Sequence, residues 1–206
     1  MKFTDYILLL ENEEKFDTKV LDSLSSFSKK IQYAKKFLKK LGEGSSRIVF
    51  DLEDGYVLKL AKNEKGLEQN LTDGDYGLQR MYPELVPELK DRDDNDDCYW
   101  LIVKKGTKIK PSEFKTLTGL DFKTFGKALT DVKLYYDGRL QKVPDESKKY
   151  WEDEDSIVNK VADLMINYDM PYGDLVRISS WGIVDGKAKI VDAGLTNTTF
   201  NTYYRK

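Results

Sequence analysis

Two rhythms of apolar and polar positions run along this chain. Across 22–41, Leu24, Phe27, Ile31, Ala34, Phe37, Leu38 and Leu41 recur at three and four, which predicts one amphipathic helix, and 3–14 reads as a shorter helix before it. From 41 the rhythm changes to short β-branched and aromatic runs. Leu41-Gly-Glu-Gly-Ser-Ser-Arg-Ile-Val-Phe50 leads through a turn at 52–55 to Tyr56-Val-Leu-Lys-Leu-Ala61, a hairpin with glycines at its entry. The stretch 65–80 reads as a polar helix broken or frayed at Gly74 and Gly77, and 85–89 with 99–103 form a second hairpin around the acidic turn 91–97.

Helical spacing returns from Pro111. The segment 121–136 is amphipathic through Phe122, Phe125, Leu129, Val132 and Tyr135. After a loop at 137–144, a helix over 147–168 carries Trp151, Ile157, Val158, Val161, Leu164 and Met165 inward. The chain then reaches Tyr172-Gly-Asp174. Two apolar runs follow, 181–184 and 187–191, joined by Asp185-Gly186, the signature of a tight hairpin. Asp174 precedes this hairpin and Asp192 follows it directly, so both carboxylates fall near the same end, the layout of a divalent-metal and phosphate site. Taken alone, the two acids read equally well as a solvated loop acid and a strand-end acid.

Composition narrows the chemistry. With 206 residues, 40% hydrophobic and 34% charged, the chain can bury a core as one unit or two small lobes. A net charge of -2 gives no reason to expect nucleic acid. The absence of histidine excludes serine–histidine and cysteine–histidine catalysis and leaves carboxylates, lysine and backbone amides. The lone Cys98 cannot form an internal disulfide and reads as a buried structural thiol in a reducing compartment. The run 6–10 is too short for a signal-peptide core or a membrane span, so a soluble cytoplasmic protein is expected. Lys29, Lys30, Lys35, Lys36, Lys39 and Lys40 read as a solvated helix face, with binding of an anionic partner as the alternative. The cluster Asp93, Asp94, Asp96 and Asp97 lacks the loop glycine and terminal glutamate of a calcium-binding hand and reads as a solvated hairpin tip.

Gly173-Asp174-Leu175, a hairpin, then Ile190-Val-Asp-Ala-Gly-Leu195 resembles the catalytic and metal-binding loops of the protein-kinase-like superfamily, which includes protein kinases and aminoglycoside-type phosphotransferases. Gly42 and Gly44 match the first two glycines of the family's phosphate loop, whose third is absent here. Lys59 lies in an apolar strand fifteen residues after Gly44, as the family's strand lysine does. Over 41–196 the resemblance implies an α+β, two-lobed kinase-like fold: a helical extension at 1–40, a strand-rich small lobe at 41–106 and a minimal helical large lobe at 107–206.

The resemblance also implies ATP and Mg2+ as cofactors. It places Gly42, Gly44, Ser45, Ser46 and Lys59 on the phosphates, the hinge at Val103 on adenine, Asp174 at the acceptor hydroxyl and Asp192 on magnesium. An acid on the 65–80 helix should pair with Lys59. Glu68, Asp73 and Asp75 are candidates, with Asp75 preferred on its distance from Lys59 and Glu68 second.

Several positions depart from the family pattern. Where the family has an asparagine for a second magnesium, this chain has Ser179, or Ser180 if the loop holds one extra residue, and Ser180-Trp-Gly-Ile-Val184 is similar to Asn-Trp-Gly-Val runs in small kinase-like proteins of bacteria and their viruses. Tyr172 replaces the usual histidine and Ala193 the usual phenylalanine. Twelve residues follow Gly194, too few for a long activation segment, so the N-terminal lysine helix, the tail or a second subunit is expected to hold any macromolecular substrate. The expected function is a phosphotransferase acting on a hydroxyl of a protein or small molecule. The alternatives are a pseudokinase that inhibits or scaffolds a partner protein, and nucleotidyl transfer on the same fold.

Overall fold

In the strand Tyr56–Ala61, Val57 to Ala61 are all buried, so both faces of this strand are covered. The computed structural model describes residues 15–95 and 97–203; the helix expected at 3–14 and the tail at 204–206 lie outside the described residues. Helices α1 (Thr18–Ser23) and α2 (Phe27–Phe37) precede strands β1 (Lys39–Glu43), β2 (Arg47–Asp51) and β3 (Tyr56–Ala61). Helices α3 (Glu64–Asp73) and α4 (Tyr76–Met81) lead to β4 (Leu89–Arg92) and β5 (Trp100–Lys104). The five strands form an antiparallel sheet in the order β1-β2-β3-β5-β4.

Alternation sorts this sheet's side chains. Ile48, Phe50, Leu58, Leu60, Trp100 and Ile102 point one way and pack with Leu21 and Ala34 of α1 and α2. Val57, Leu101 and Val103 point the other way, with Val49 and Leu89 against them. The N-terminal helices thus form a lid on one face of the sheet, tied also by Trp100 Nε1 donating to Asp22 Oδ1 at 2.7 Å. The opposite face looks onto the rest of the molecule.

The second body is built from α5 (Pro111–Thr118), α6 (Phe122–Tyr136), α7 (Asp145–Trp151) and α8 (Ile157–Asn167), with a small sheet of β6 (Thr107–Lys108), β7 (Trp181–Val184) and β8 (Lys187–Ile190) in that order. Two short helices complete it, α9 (Tyr172–Leu175) and α10 (Asn197–Tyr203). Its core centres on Trp181, whose ring meets Phe114 and Phe125 edge-on at 5.1 and 5.6 Å while Nε1 donates to Leu175 O at 2.8 Å. Leu78, Tyr82, Leu85 and Val86 join this core. The architecture is α+β, with a strand-rich lobe and a helical lobe.

Four expectations need correction. The single helix over 22–41 is two helices and a strand: Ser26 starts α2 by accepting from Lys29 N at 3.3 Å, and Lys39 already pairs with Asp51 of β2. Leu41 is therefore 44% exposed, in β1, and Lys30 turns inward under α1, donating to Leu21 O beside the Tyr99 ring. The helix over 147–168 breaks after Trp151 and restarts at Ser156, which accepts from Val158 N at 3.2 Å. Asp93 is buried rather than solvated, because its carboxylate accepts from Asn95 N, Asn95 Nδ2 and Tyr99 N and so shapes the turn between β4 and β5. Cys98 is fully buried as expected, and burial pushes its thiol up to about 11.

Candidate functional site

The loop Gly44-Ser-Ser46 between β1 and β2 turns tightly, with Gly44 N donating to Arg47 O at 2.9 Å. It rests on α3, where Ser46 Oγ donates to Gln69 Oε1 at 2.6 Å. Gly66 makes this contact possible: a Cβ there would stand 2.3 Å from Ser46 O. The polar helix α3 buries Gly66, Gln69, Asn70 and Asp73, a face spaced at three and four that looks onto β2 and β3.

Lys59 projects from β3 onto this face. Its Nζ donates to Asp73 Oδ2 at 2.7 Å and to Val191 O at 2.9 Å, and both side chains of the ion pair are more than 90% buried. The lysine's partner is therefore Asp73. Asp75 is committed elsewhere: it caps α4, accepting from Leu78 N at 2.7 Å and from Tyr168 OH at 3.3 Å. Glu68 is exposed on the outer face of α3. Helical phase decides the matter, since residue 73 shares a face with 66, 69 and 70, whereas Gly74 ends the helix before 75.

Arg47, at the start of β2, joins the same network. Nη1 donates to Asp73 Oδ2 at 2.5 Å and Nη2 is ion-paired with Asp192 Oδ1. Burial pulls the Asp73 carboxyl up, but the Lys59 and Arg47 charges outweigh it and hold the carboxyl below the ordinary carboxylate range.

The hairpin β7–β8 turns on Asp185 and Gly186, both at positive φ, as an Asp-Gly two-residue turn requires. Val191 N donates to Ser180 O at 2.9 Å, so the chain entering the hairpin and the chain leaving it stay joined. Asp192 then emerges with its side chain 67% exposed. Asp174 lies in the single turn α9, paired with Arg177 Nη1 at 3.2 Å. Burial raises the Asp174 carboxyl above its ordinary value, Arg177 opposes the rise and Asp192 adds to it. The two acids feel each other across one cavity.

That cavity has a volume of about 790 Å3. Gly44, Ser45, Ser46, Lys59, Asp174, Ser179, Ser180 and Asp192 all line it, so most of the sequence-predicted site residues converge there. Gly42 and Val103 do not line it: Gly42 is in β1, and Val103 packs with Val57 and Leu101 on the cleft face of the sheet. Residues that sequence reasoning passed over complete the wall. Arg47 and Gln69 close the inner end; Lys133, Tyr172, Arg177 and Phe200 form the outer part. Arg47 carried one legible signal, its place two residues before Val49 on the same strand face. The wall from α6 and α10 carried none.

A divalent cation fits the donors in part. Asp192 offers a carboxylate oxygen to the cavity, and Ser180, with a mostly buried side chain, offers only a hydroxyl. Among the described residues no three acidic or thiol side chains converge as a preformed cage. Such a donor set suits magnesium, which keeps waters and takes phosphate oxygens along with one or two carboxylates.

No protein-family model matches the chain, and no curated protein matches it. Solved structures do match. One is the streptomycin–ATP ternary complex of APH(2")-IIa, 14% identical with a TM-score of 0.34, over 83% of this chain and 71% of that one. Another is the GDP and kanamycin complex of APH(2")-IIia, 13% identical with a TM-score of 0.37, over 76% and 66%. A third is the ADP-bound aminoglycoside phosphotransferase APH(2'')-Ib, 13% identical with a TM-score of 0.36, over 94% and 71%. At these identities and TM-scores the likenesses carry no argument about this chain's chemistry.

Proposed function

We propose that this protein is a kinase-like phosphotransferase that binds ATP with magnesium and transfers the terminal phosphoryl group to a hydroxyl of a protein or small molecule. The observation that carries this reading is the convergence of a short glycine–serine loop, a buried lysine fixed by Asp73, and the separate carboxylates Asp174 and Asp192 on one cavity. In such a transfer, positioning and charge neutralisation do most of the work.

Each residue has a part that its surroundings suit. The loop 44–46 and the Lys59 ammonium receive the phosphates, and Asp73 with Val191 O aims the ammonium. Asp192 is the carboxylate that would hold magnesium, whose chemistry is to screen the phosphate oxygens. Asp174 accepts the acceptor's proton, and its raised pKa makes it a stronger base than an exposed aspartate. Val49, on the cleft face of the sheet, lines the cavity and offers adenine an apolar contact.

A pseudokinase that binds a partner protein is the second reading. It is favoured by the serines at 179 and 180 and by Arg47 on the Asp192 carboxylate. Calorimetry with ATP, with and without magnesium, separates the two. The enzyme reading expects magnesium-dependent binding that Asp192→Ala removes, and phosphoryl transfer that Asp174→Ala abolishes in a folded protein. Folded wild type that binds no nucleotide would leave the pseudokinase. No helix among the described residues is long and apolar enough to cross a membrane.

A further inference from the structure

Arg47 is the residue at this site that no role above absorbs. Its side chain is 7% exposed, so its position is set by the protein and not by solvent. Nη1 meets Asp73 Oδ2 at 2.5 Å, with Gln69 O at 3.4 Å and Asn70 Oδ1 at 3.5 Å beside it, and Nη2 holds Asp192 Oδ1. Lys59 Nζ shares the same Asp73 oxygen at 2.7 Å. Two cations therefore flank one buried carboxylate, and both line the cavity.

Resting on the phosphotransferase reading, we propose that Arg47 supplies the second positive charge over the transferring phosphates, so that the site works with a single divalent cation. Three features of the site support this. Ser179 and Ser180 offer a further cation neutral hydroxyls in place of a carboxamide or carboxylate, and among the described residues no third acid or thiol converges there. The Arg47 guanidinium occupies one oxygen of Asp192, which leaves that carboxylate one oxygen for a metal. A guanidinium fixed at this point repels a second dication while presenting planar N–H donors to phosphate oxygens. Among the described residues Nη2 makes one ion pair, with Asp192, so a further N–H is left for a phosphate oxygen.

Arg47 also aims Asp192. Arg47 in β2 and Asp192, two residues past the end of β8, are 145 positions apart in sequence, and this ion pair joins them. In this role Arg47 is both a phosphate ligand and a positioning residue.

The test uses the full chain and a non-hydrolysable ATP analogue. Titration with Mn2+, read by electron paramagnetic resonance at saturating analogue, is expected to find one cation per protein. Calorimetry in EDTA is expected to show metal-free analogue binding that weakens at least about tenfold in Arg47→Ala and is partly restored in Arg47→Lys, since charge alone is retained there. Circular dichroism checks that each variant is folded. A second bound Mn2+ in the wild type overturns the proposal, and this result needs no variant. Unchanged metal-free affinity in folded Arg47→Ala, or in Arg47→Ala and Arg47→Lys alike, overturns it too, while leaving the phosphotransferase reading in place. A folded wild type that binds the analogue neither with Mn2+ nor without it overturns both.

Discussion

Asp73 is the buried acid whose removal should cost this protein most. In Asp73→Ala the Lys59 ammonium loses its 2.7 Å partner and the Arg47 guanidinium its 2.5 Å partner, while both remain in a region where their side chains are 7–8% exposed. Removing one partner of a buried ion pair costs about 3–5 kcal/mol, because a desolvated charge is left behind. For a chain of this size each kcal/mol moves the melting temperature by about 2–4 °C, so a fall of about 6–20 °C is expected. The control is Asp75→Ala, which removes a helix cap worth about 1 kcal/mol. Thermal melting followed by circular dichroism, repeated in urea, measures both variants under the same conditions. The pH dependence adds a second check. The folded Asp73 carboxyl lies below its ordinary value, so the stability it contributes is present above the unfolded carboxylate range and is lost as pH falls through the lowered value. Asp73→Asn should flatten that acid limb. If Asp73→Ala costs no more than Asp75→Ala, the assignment of Asp73 as the lysine's partner is wrong.

Asp174→Asn should abolish phosphoryl transfer yet melt slightly higher than wild type at pH 7: burial raises the folded carboxyl, so the folded state binds the proton more tightly and stability falls as pH rises through that value. Gly194→Ala should destabilise by about 1–3 kcal/mol in urea unfolding through overpacking. Its Cβ would stand 2.4 Å from Gln69 O and 2.7 Å from Arg47 Nη1, so nucleotide affinity should fall with stability. Leu21→Ala, at a fully buried position under the sheet, should cost about 2–5 kcal/mol by the same assay. Deleting residues 1–37 would bare Ile48, Phe50, Leu58 and Leu60 and should give aggregates on size-exclusion chromatography, whereas a lysine helix used only for docking would leave a soluble, folded remainder.

Much of this molecule is legible in local pattern. The Asp185-Gly186 turn specifies a hairpin because few other dipeptides accept two positive φ values, and the three-and-four spacing of Phe122, Phe125, Leu129 and Val132 specifies the inward face of α6. Lys59, Asp174 and Asp192 are ordinary one by one and stand out only through their order and spacing along the chain, and the structure brings all three to one cavity. Tertiary structure alone decided the rest. The apolar spacing across 22–41 suits a helix, yet strand pairing with β2 outweighs it from Lys39 onward, and periodicity within a segment carries no information about a partner strand. The choice of Asp73 over Asp75 turned on where α3 ends, a difference of two residues that rotates a carboxylate off the lysine. Arg47 stands at a strand start, and its meaning depends on Asp192, which the fold delivers from 145 residues away. Local sequence sets which face of an element is apolar; the docking of elements on one another sets which charges meet, because a buried charge is stabilised only by the partner that packing brings to it.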